Sequence, residues 1–210
     1  MKRFAFTLLE LVFVLVVIGI LAVLAMPNFR GHPLQDAAEQ VASHIRYTQH
    51  LAMVDDKFNE NNVTSFLEKW QIRFRENSNV LYYAVYSDRN QNRNVNCNAA
   101  TCDEPAIDPL TKQPLYYLDS RANNAMVLST KYGITDINVS CDTPDSSLYT
   151  ASLGVIAFDN MGRPYNGLGN DTSAPLDFLM TADCNITLVH PDGNATIRVH
   201  PETGYVSVTY

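Results

Sequence analysis

From Phe6 to Met26 the chain is an almost unbroken run of apolar residues, with Glu10 the only ionisable side chain in it. At about 1.5 Å per residue a helix over 6–26 would be about 31 Å long, close to the hydrocarbon thickness of a bilayer. Beyond Pro27 the apolar residues Leu34, Ala38, Val41, Ala42, Ile45, Leu51 and Ala52 recur at spacings of three and four or their sums. Opposite that stripe lie Gln35, Asp36, Glu39, Gln40, Ser43 and Arg46. The pattern predicts one long helix over 6–55, kinked rather than ended by Pro27, with 6–26 transmembrane and the second half packed on a globular domain.

The period then shortens to two. Trp70–Phe74 alternates apolar and polar residues, as does part of Val80–Tyr86, and strand-like runs follow at Ala125–Lys131, Ile134–Val139 and Leu153–Phe158. Residues 88–124 are rich in Asn, Asp and Pro and read as a long surface insertion. The C-terminal segments Cys184–His190, Ala195–His200 and Tyr205–Val208 form a predicted meander, with turns at His190–Gly193 and His200–Gly204. The expected fold class is α+β, a long N-terminal helix on an antiparallel β-sandwich or meander that occupies 56–210.

Charge and cysteines place this domain. The chain has 15 basic and 22 acidic residues. Setting aside residues 1–30, which hold Lys2, Arg3, Arg30 and Glu10, leaves 12 and 21, a net charge of about −9. The remaining cations are scattered, so nucleic-acid binding is disfavoured. Lys2 and Arg3 ahead of the apolar run predict a cytoplasmic start and an exported domain. In an oxidising compartment Cys97, Cys102, Cys141 and Cys184 read as disulfide cysteines, because their spacings match no zinc site. Three connectivities are open; one joins Cys97 to Cys102 and Cys141 to Cys184. A cleavable signal peptide is the alternative reading of the apolar run, with small residues at Val23-Leu24-Ala25. Glu10 argues against it, since a carboxylate in a membrane segment is costly and a disposable signal gains nothing from it.

Phe6-Thr7-Leu8-Leu9-Glu10-Leu11 resembles the processing and methylation motif of type IV prepilins. The resemblance implies cleavage between Ala5 and Phe6 by a prepilin peptidase, N-methylation of Phe6, and pairing of Glu10 with the N-terminal amine of a neighbouring subunit. Gly19 and Pro27 fall where that family has its helix-loosening residues; Ala5 stands where most prepilins have Gly. A second resemblance lies in Phe158-Asp159-Asn160-Met161-Gly162-Arg163-Pro164 and Pro201-Glu202-Thr203-Gly204-Tyr205-Val206, which are similar to H-type minor pseudopilins of type II secretion and to related minor type IV pilins. It implies a non-enzymatic subunit of a periplasmic filament, held at the inner membrane with its C-terminal domain in the periplasm. Its partners would be other pilin-like helices and an inner-membrane assembly platform. A minor pilin that primes a type IV or DNA-uptake pilus is the alternative within that class.

Other chemistry in the chain is faint. No HExxH, GxSxG, Walker or GxGxxG motif occurs, and no cofactor is expected. His190 and His200 each precede a turn proline and read as turn-flanking. Asp88, Asn90 and Asn92 alternate as calcium ligands do, but the glycine and the bidentate acid of an EF-hand loop are missing, so a solvated turn is the preferred reading. Tyr82, Tyr83, Tyr86, Tyr116 and Tyr117 fit sheet packing better than a stacking platform for bases. Asn-x-Ser/Thr sequons begin at Asn62, Asn138, Asn170, Asn185 and Asn194. Four of them have an acid two residues upstream (Glu60, Asp136, Asp183 and Asp192), as bacterial oligosaccharyltransferases prefer. Among these acceptors Asn194 is expected to be the most accessible and Asn185 among the poorest.

Overall fold

The computed structural model describes residues 7–25, 31–91, 103–117, 122–141, 152–169 and 176–210. The chain divides into two compact units, Met1–His32 and Pro33–Tyr210.

The expected single helix over 6–55 is two helices, α1 (Leu8–Ala25) and α2 (Pro33–Val54). Gly31 and His32 are not helical. Pro27, Gly31 and Pro33 place three helix breakers within seven residues. The residue before a proline is steered out of the α region, and Pro33 is suited to begin a helix because its missing N–H needs no partner there. Among the described residues no helix is long and apolar enough to cross a membrane. The continuous helix with a membrane-spanning first half is therefore overturned, and only the coarse α+β class holds.

Among the described residues of the second unit, nine strands form two antiparallel sheets. The first contains β1 (Trp70–Asn77), β2 (Val80–Ser87), β3 (Glu104–Pro105), β5 (Ser152–Phe158) and β6 (Pro164–Asn166), in the order β3-β2-β1-β5-β6. The second contains β4 (Asp136–Ser140), β7 (Cys184–His190), β8 (Gly193–Val199) and β9 (Val206–Thr209), in the order β4-β7-β8-β9. β1 and β2 are joined through Ser78 and Asn79, both at positive φ (50° and 64°), which gives the hairpin the twist its strands require.

α2 packs against strands of both sheets, chiefly β1, β8 and β9. Ala38, Val41, Ala42, Ile45 and Ala52 are buried, as the periodicity predicts, and so is Ala37, which the predicted stripe did not include, whereas Leu34 and Leu51 are only half-buried. Facing them are Ile72, Phe74, Leu81, Tyr83 and Val85 from the first sheet, and Ile186, Leu188, Ile197 and Val199 from the second. Both faces of β2 are covered. Tyr82, Ala84 and Tyr86 alternate with the α2-facing residues, and Tyr82 and Tyr86 meet the rings of Tyr117 and Tyr116. These tyrosines are packed in the sheet, as expected.

Two predicted segments differ. Ala125–Lys131, expected as a strand, begins in a 3-10 turn (Asn124–Met126) and continues into α3 (Leu128–Tyr132). The Asn123 side chain accepts from Ala125 N at 3.0 Å and Gly133 closes α3 in the left-handed region, so caps at both ends override the strand propensity between them. The described part of the expected insertion, 103–117, is stitched to the first sheet. Val85 N donates to Leu115 O (2.8 Å), Ala106 N to Val85 O (2.9 Å), and Leu115 and Tyr116 are fully buried.

Cys141 and Cys184 form a disulfide, one pair of the connectivity considered above. The β4–β7 register runs to Ser140 opposite Asn185, so its next step brings Cys141 opposite Cys184. Closing a loop of 43 residues removes about 4 kcal/mol of unfolded-chain entropy on the loop-closure model. Cys97 and Cys102 lie outside the described residues.

β4 crosses close to β5, where Val139 sits directly on Gly154. A Cβ built at Gly154 would lie 2.5 Å from Val139 Cγ1 and 2.6 Å from its Cβ. Because Val139 Cβ is fixed by its own backbone, no rotamer change relieves that contact. Gly154→Ala is expected to destabilise the fold by about 1–3 kcal/mol through forced separation of the sheets, and a double variant with Val139→Ala should recover most of the loss; urea unfolding measures both.

Candidate functional site

Of the residues the sequence singles out for processing and assembly, Glu10 lies at the head of α1. Ala5 and Phe6 are outside the described residues; Thr7 and Glu10 are within them. Thr7 Oγ1 accepts from Glu10 N at 3.3 Å, and Glu10 Oε2 accepts in return from Thr7 N at 3.4 Å. This is a capping box, in which each side chain accepts from the other residue's backbone N–H, Glu10 N donating to Thr7 O as well at 3.1 Å. Thr7-Leu8-Leu9-Glu10 carries its signature in the sequence, yet the reading above sought the partner of Glu10 only on another chain. The carboxylate also sits at the positive end of its own helix dipole. Around it the side chains of α1 are exposed, from Leu8 (82%) and Leu9 (81%) to Phe13 (70%) and Leu21 (59%), with apolar groups on every side of the helix.

In the second unit the two C-terminal motifs meet on one side chain of α2. Gln49 Nε2 donates to Gly162 O and to Thr203 O, each at 2.8 Å. Gly162 (φ +79°) and Gly204 (φ +63°) let both turns close on it. A Cβ at Gly204 would fall 2.6 Å from Gly162 O. Beside this clasp Asp159 takes Met161 N, Arg163 N, Arg163 Nε and Tyr165 OH at 2.8–3.1 Å, which fixes the first turn. The turns at Gly162 and Gly204 thus lock the sheets onto α2.

A second tie lies further up α2. Gln40 Nε2 donates to Tyr83 OH (2.6 Å) and to Ala125 O (2.9 Å), and its Oε1 accepts from Lys131 Nζ (2.8 Å) and Tyr132 OH (2.5 Å). Tyr83 OH, with Gln40 as its donor, gives its own proton to His44 Nδ1 at 2.7 Å. Burial drives the His44 pKa down from 6.5 to about 4; Asp108 opposes that shift and Lys131 adds to it. A neutral imidazole is the form able to accept the tyrosine proton, so the titration and the hydrogen bond agree.

The remaining candidates are dispersed. Asp88 is buried and Asn92 lies outside the described residues; among those described, no three His, Cys, Asp or Glu side chains converge as a metal site requires. Asn194 is exposed at the tip of the β7–β8 hairpin and Asn138 is exposed on β4, while Asn62 and Asn185 are half-buried. Asn185 accepts from Arg198 Nε at 3.3 Å and Asn62 from Thr64 of its own sequon; Asn170 is outside the described residues. His200 pairs with Asp183 at 2.9 Å and stacks on Tyr205, and His190 accepts from Asp192 N at 3.1 Å, so both close turns. Comparison with protein-family models, with curated proteins and with solved structures finds no match to the chain.

His44 yields a pH dependence of stability. Below pH 6.5 the unfolded chain binds a proton that the folded chain refuses until about pH 4, so acid favours unfolding across that window. Stability is expected to fall by about 3 kcal/mol from pH 7 to pH 4 through this residue, and His44→Gln should remove that part of the slope. Urea midpoints measured from pH 4 to pH 7 on both proteins check it.

Proposed function

We propose that the chain is a non-enzymatic subunit of a type IV pilin-like filament, a minor pseudopilin serving type II protein secretion. The observation that carries this reading is the sequence Phe6-Thr7-Leu8-Leu9-Glu10, whose Leu8, Leu9 and Glu10 open a helix with exposed apolar side chains on every side. Such a segment is covered by lipid or by other apolar helices, and a filament of like subunits offers both in turn. On this reading prepilin peptidase cuts between Ala5 and Phe6, and the amine of Phe6 is methylated. Before assembly the apolar segment keeps the protein at the inner membrane, with its folded unit in the periplasm. The Cys141–Cys184 disulfide suits that oxidising compartment.

Glu10 then has two tasks, capping its own helix and neutralising the amine of a neighbour, and they respond to different substitutions. Gln can serve in a capping box but carries no charge. Glu10→Gln is expected to leave the helix intact and to lower co-purification of partner subunits at least about tenfold, because an uncompensated amine would enter the bundle. Thr7→Ala should do the reverse, costing the helix about 1 kcal/mol while assembly persists. Mass spectrometry of the mature N-terminus should find methylated Phe6. A start near Met26, or wild-type co-purification of Glu10→Gln, sinks the proposal.

A further inference from the structure

A cleft of about 470 Å³ opens at the C-terminal end of α2, a volume ordinary for a small-ligand site. Its apolar wall is made by Phe58, Val63, Phe66, Trp70, Tyr165 and Leu176. Phe58, Val63 and Leu176 are left 72%, 89% and 57% exposed at its rim.

Among the described residues, most of the charged groups around the cleft are held by protein partners. Lys57 pairs with Asp55 (2.6 Å) and Glu104 (2.9 Å), and Trp70 Nε1 also donates to Asp55 at 3.0 Å. Asp159 holds its four donors as described. Asp56 accepts from Phe58 N at 2.9 Å and Asn160 Nδ2 at 2.8 Å. Glu60 is exposed to solvent. Lys69 differs from these. Its Nζ donates to Phe66 O at 3.1 Å and lies over the rings of Phe66 (5.3 Å) and Tyr165 (4.8 Å). Among the described residues no carboxylate comes within ion-pair distance of it. Lys69 lines the cleft, and its one protein hydrogen bond among the described residues goes to a neutral carbonyl, so its charge there is met only by two ring faces.

We propose that this cleft binds a carboxylate carried on a small apolar body, with Lys69 Nζ holding the carboxylate and the aromatic wall holding the body. A charge-assisted hydrogen bond in a partly desolvated site is strong enough to select the acid over its neutral analogue. Two sources share this chemistry, a free aromatic acid and the terminal carboxylate of a peptide ending in an apolar residue. Burial lowers the Lys69 pKa to about 8, with Asp159 and Asp56 opposing the shift and Arg163 adding to it. An arriving anion restores the stability of the charged amine, so binding draws in a proton when the solution is above that pH.

Trp70 is the single tryptophan of the chain and lines the cleft, so intrinsic fluorescence reports occupancy directly. The full chain in a non-ionic detergent would be titrated with benzoate, benzyl alcohol and benzylammonium, and with N-acetylphenylalanine and its amide. Saturable changes are expected with the two acids, and roughly tenfold weaker ones with the alcohol, the amide and the cation. Tighter binding of N-acetylphenylalanine than of benzoate would support the peptide source, and the opposite order the free acid. Lys69→Met should abolish the preference for acids and Lys69→Arg should keep part of it. Should Lys69→Met fail to fold, the wild-type profile decides, since benzoate affinity must fall as pH rises through about 8. Benzyl alcohol or benzylammonium binding as well as benzoate, or a flat pH profile, overturns the proposal.

Discussion

The close approach of the α2 backbone to two sheets at once is the constraint on which the second unit depends. Ala37, Ala38 and Ala42 present almost no side chain, so the helix can lie deep between strands of both sheets while Val41 and Ile45 fill the space beside it. A helix seated so deeply also buries Thr48, whose Oγ1 returns to His44 O at 2.7 Å. Beside it Arg46 reaches Val206 O at 3.0 Å, Gln40 holds Ala125 O, and Gln49 holds one turn from each sheet at Gly162 O and Thr203 O. The polar stripe of α2 thus fastens the sheets to it.

Much of this could be read from residue order, because the relevant forces are local or periodic. The 3.6-residue stripe of α2 and the two-residue alternation of β1, β7 and β8 depend on one buried face each, and they appear where the pattern puts them. The failures come from interactions that no period encodes. Apolar residues on both sides of 26–33 obscured the helix breakers between them. Asn123 and Gly133 cap what looked like a strand. Residues 103–117 look solvated by composition, but their backbone pairs with β2, and the decisive burial of Leu115 and Tyr116 depends on strands far away in sequence.

The head of α1 was read only in part. A single acid in an apolar run demands a compensating group, and an amine on another chain was the expected one. The structure supplies a nearer one in the first turn of the same helix. The two would be compatible under the proposed function, because a carboxylate held by long, weak hydrogen bonds could still turn to a stronger, charged partner. Local capping would then serve as preorganisation, reducing the side-chain entropy lost on such a pairing.

The position of the disulfide has a mechanical meaning. Cys141 follows edge strand β4 and Cys184 begins its inner neighbour β7 in the second sheet, yet the chain between them contains β5 and β6, which belong to the first. A pull on the two ends of the chain would pass from one cysteine to the other through the sulfur atoms and leave the enclosed loop slack. At about 3.4 Å per extended residue, the 43-residue separation withholds roughly 150 Å of contour length from any stretching force. β5, with its hydrogen bonds to β1, is thereby shielded from tension until the bridge is reduced.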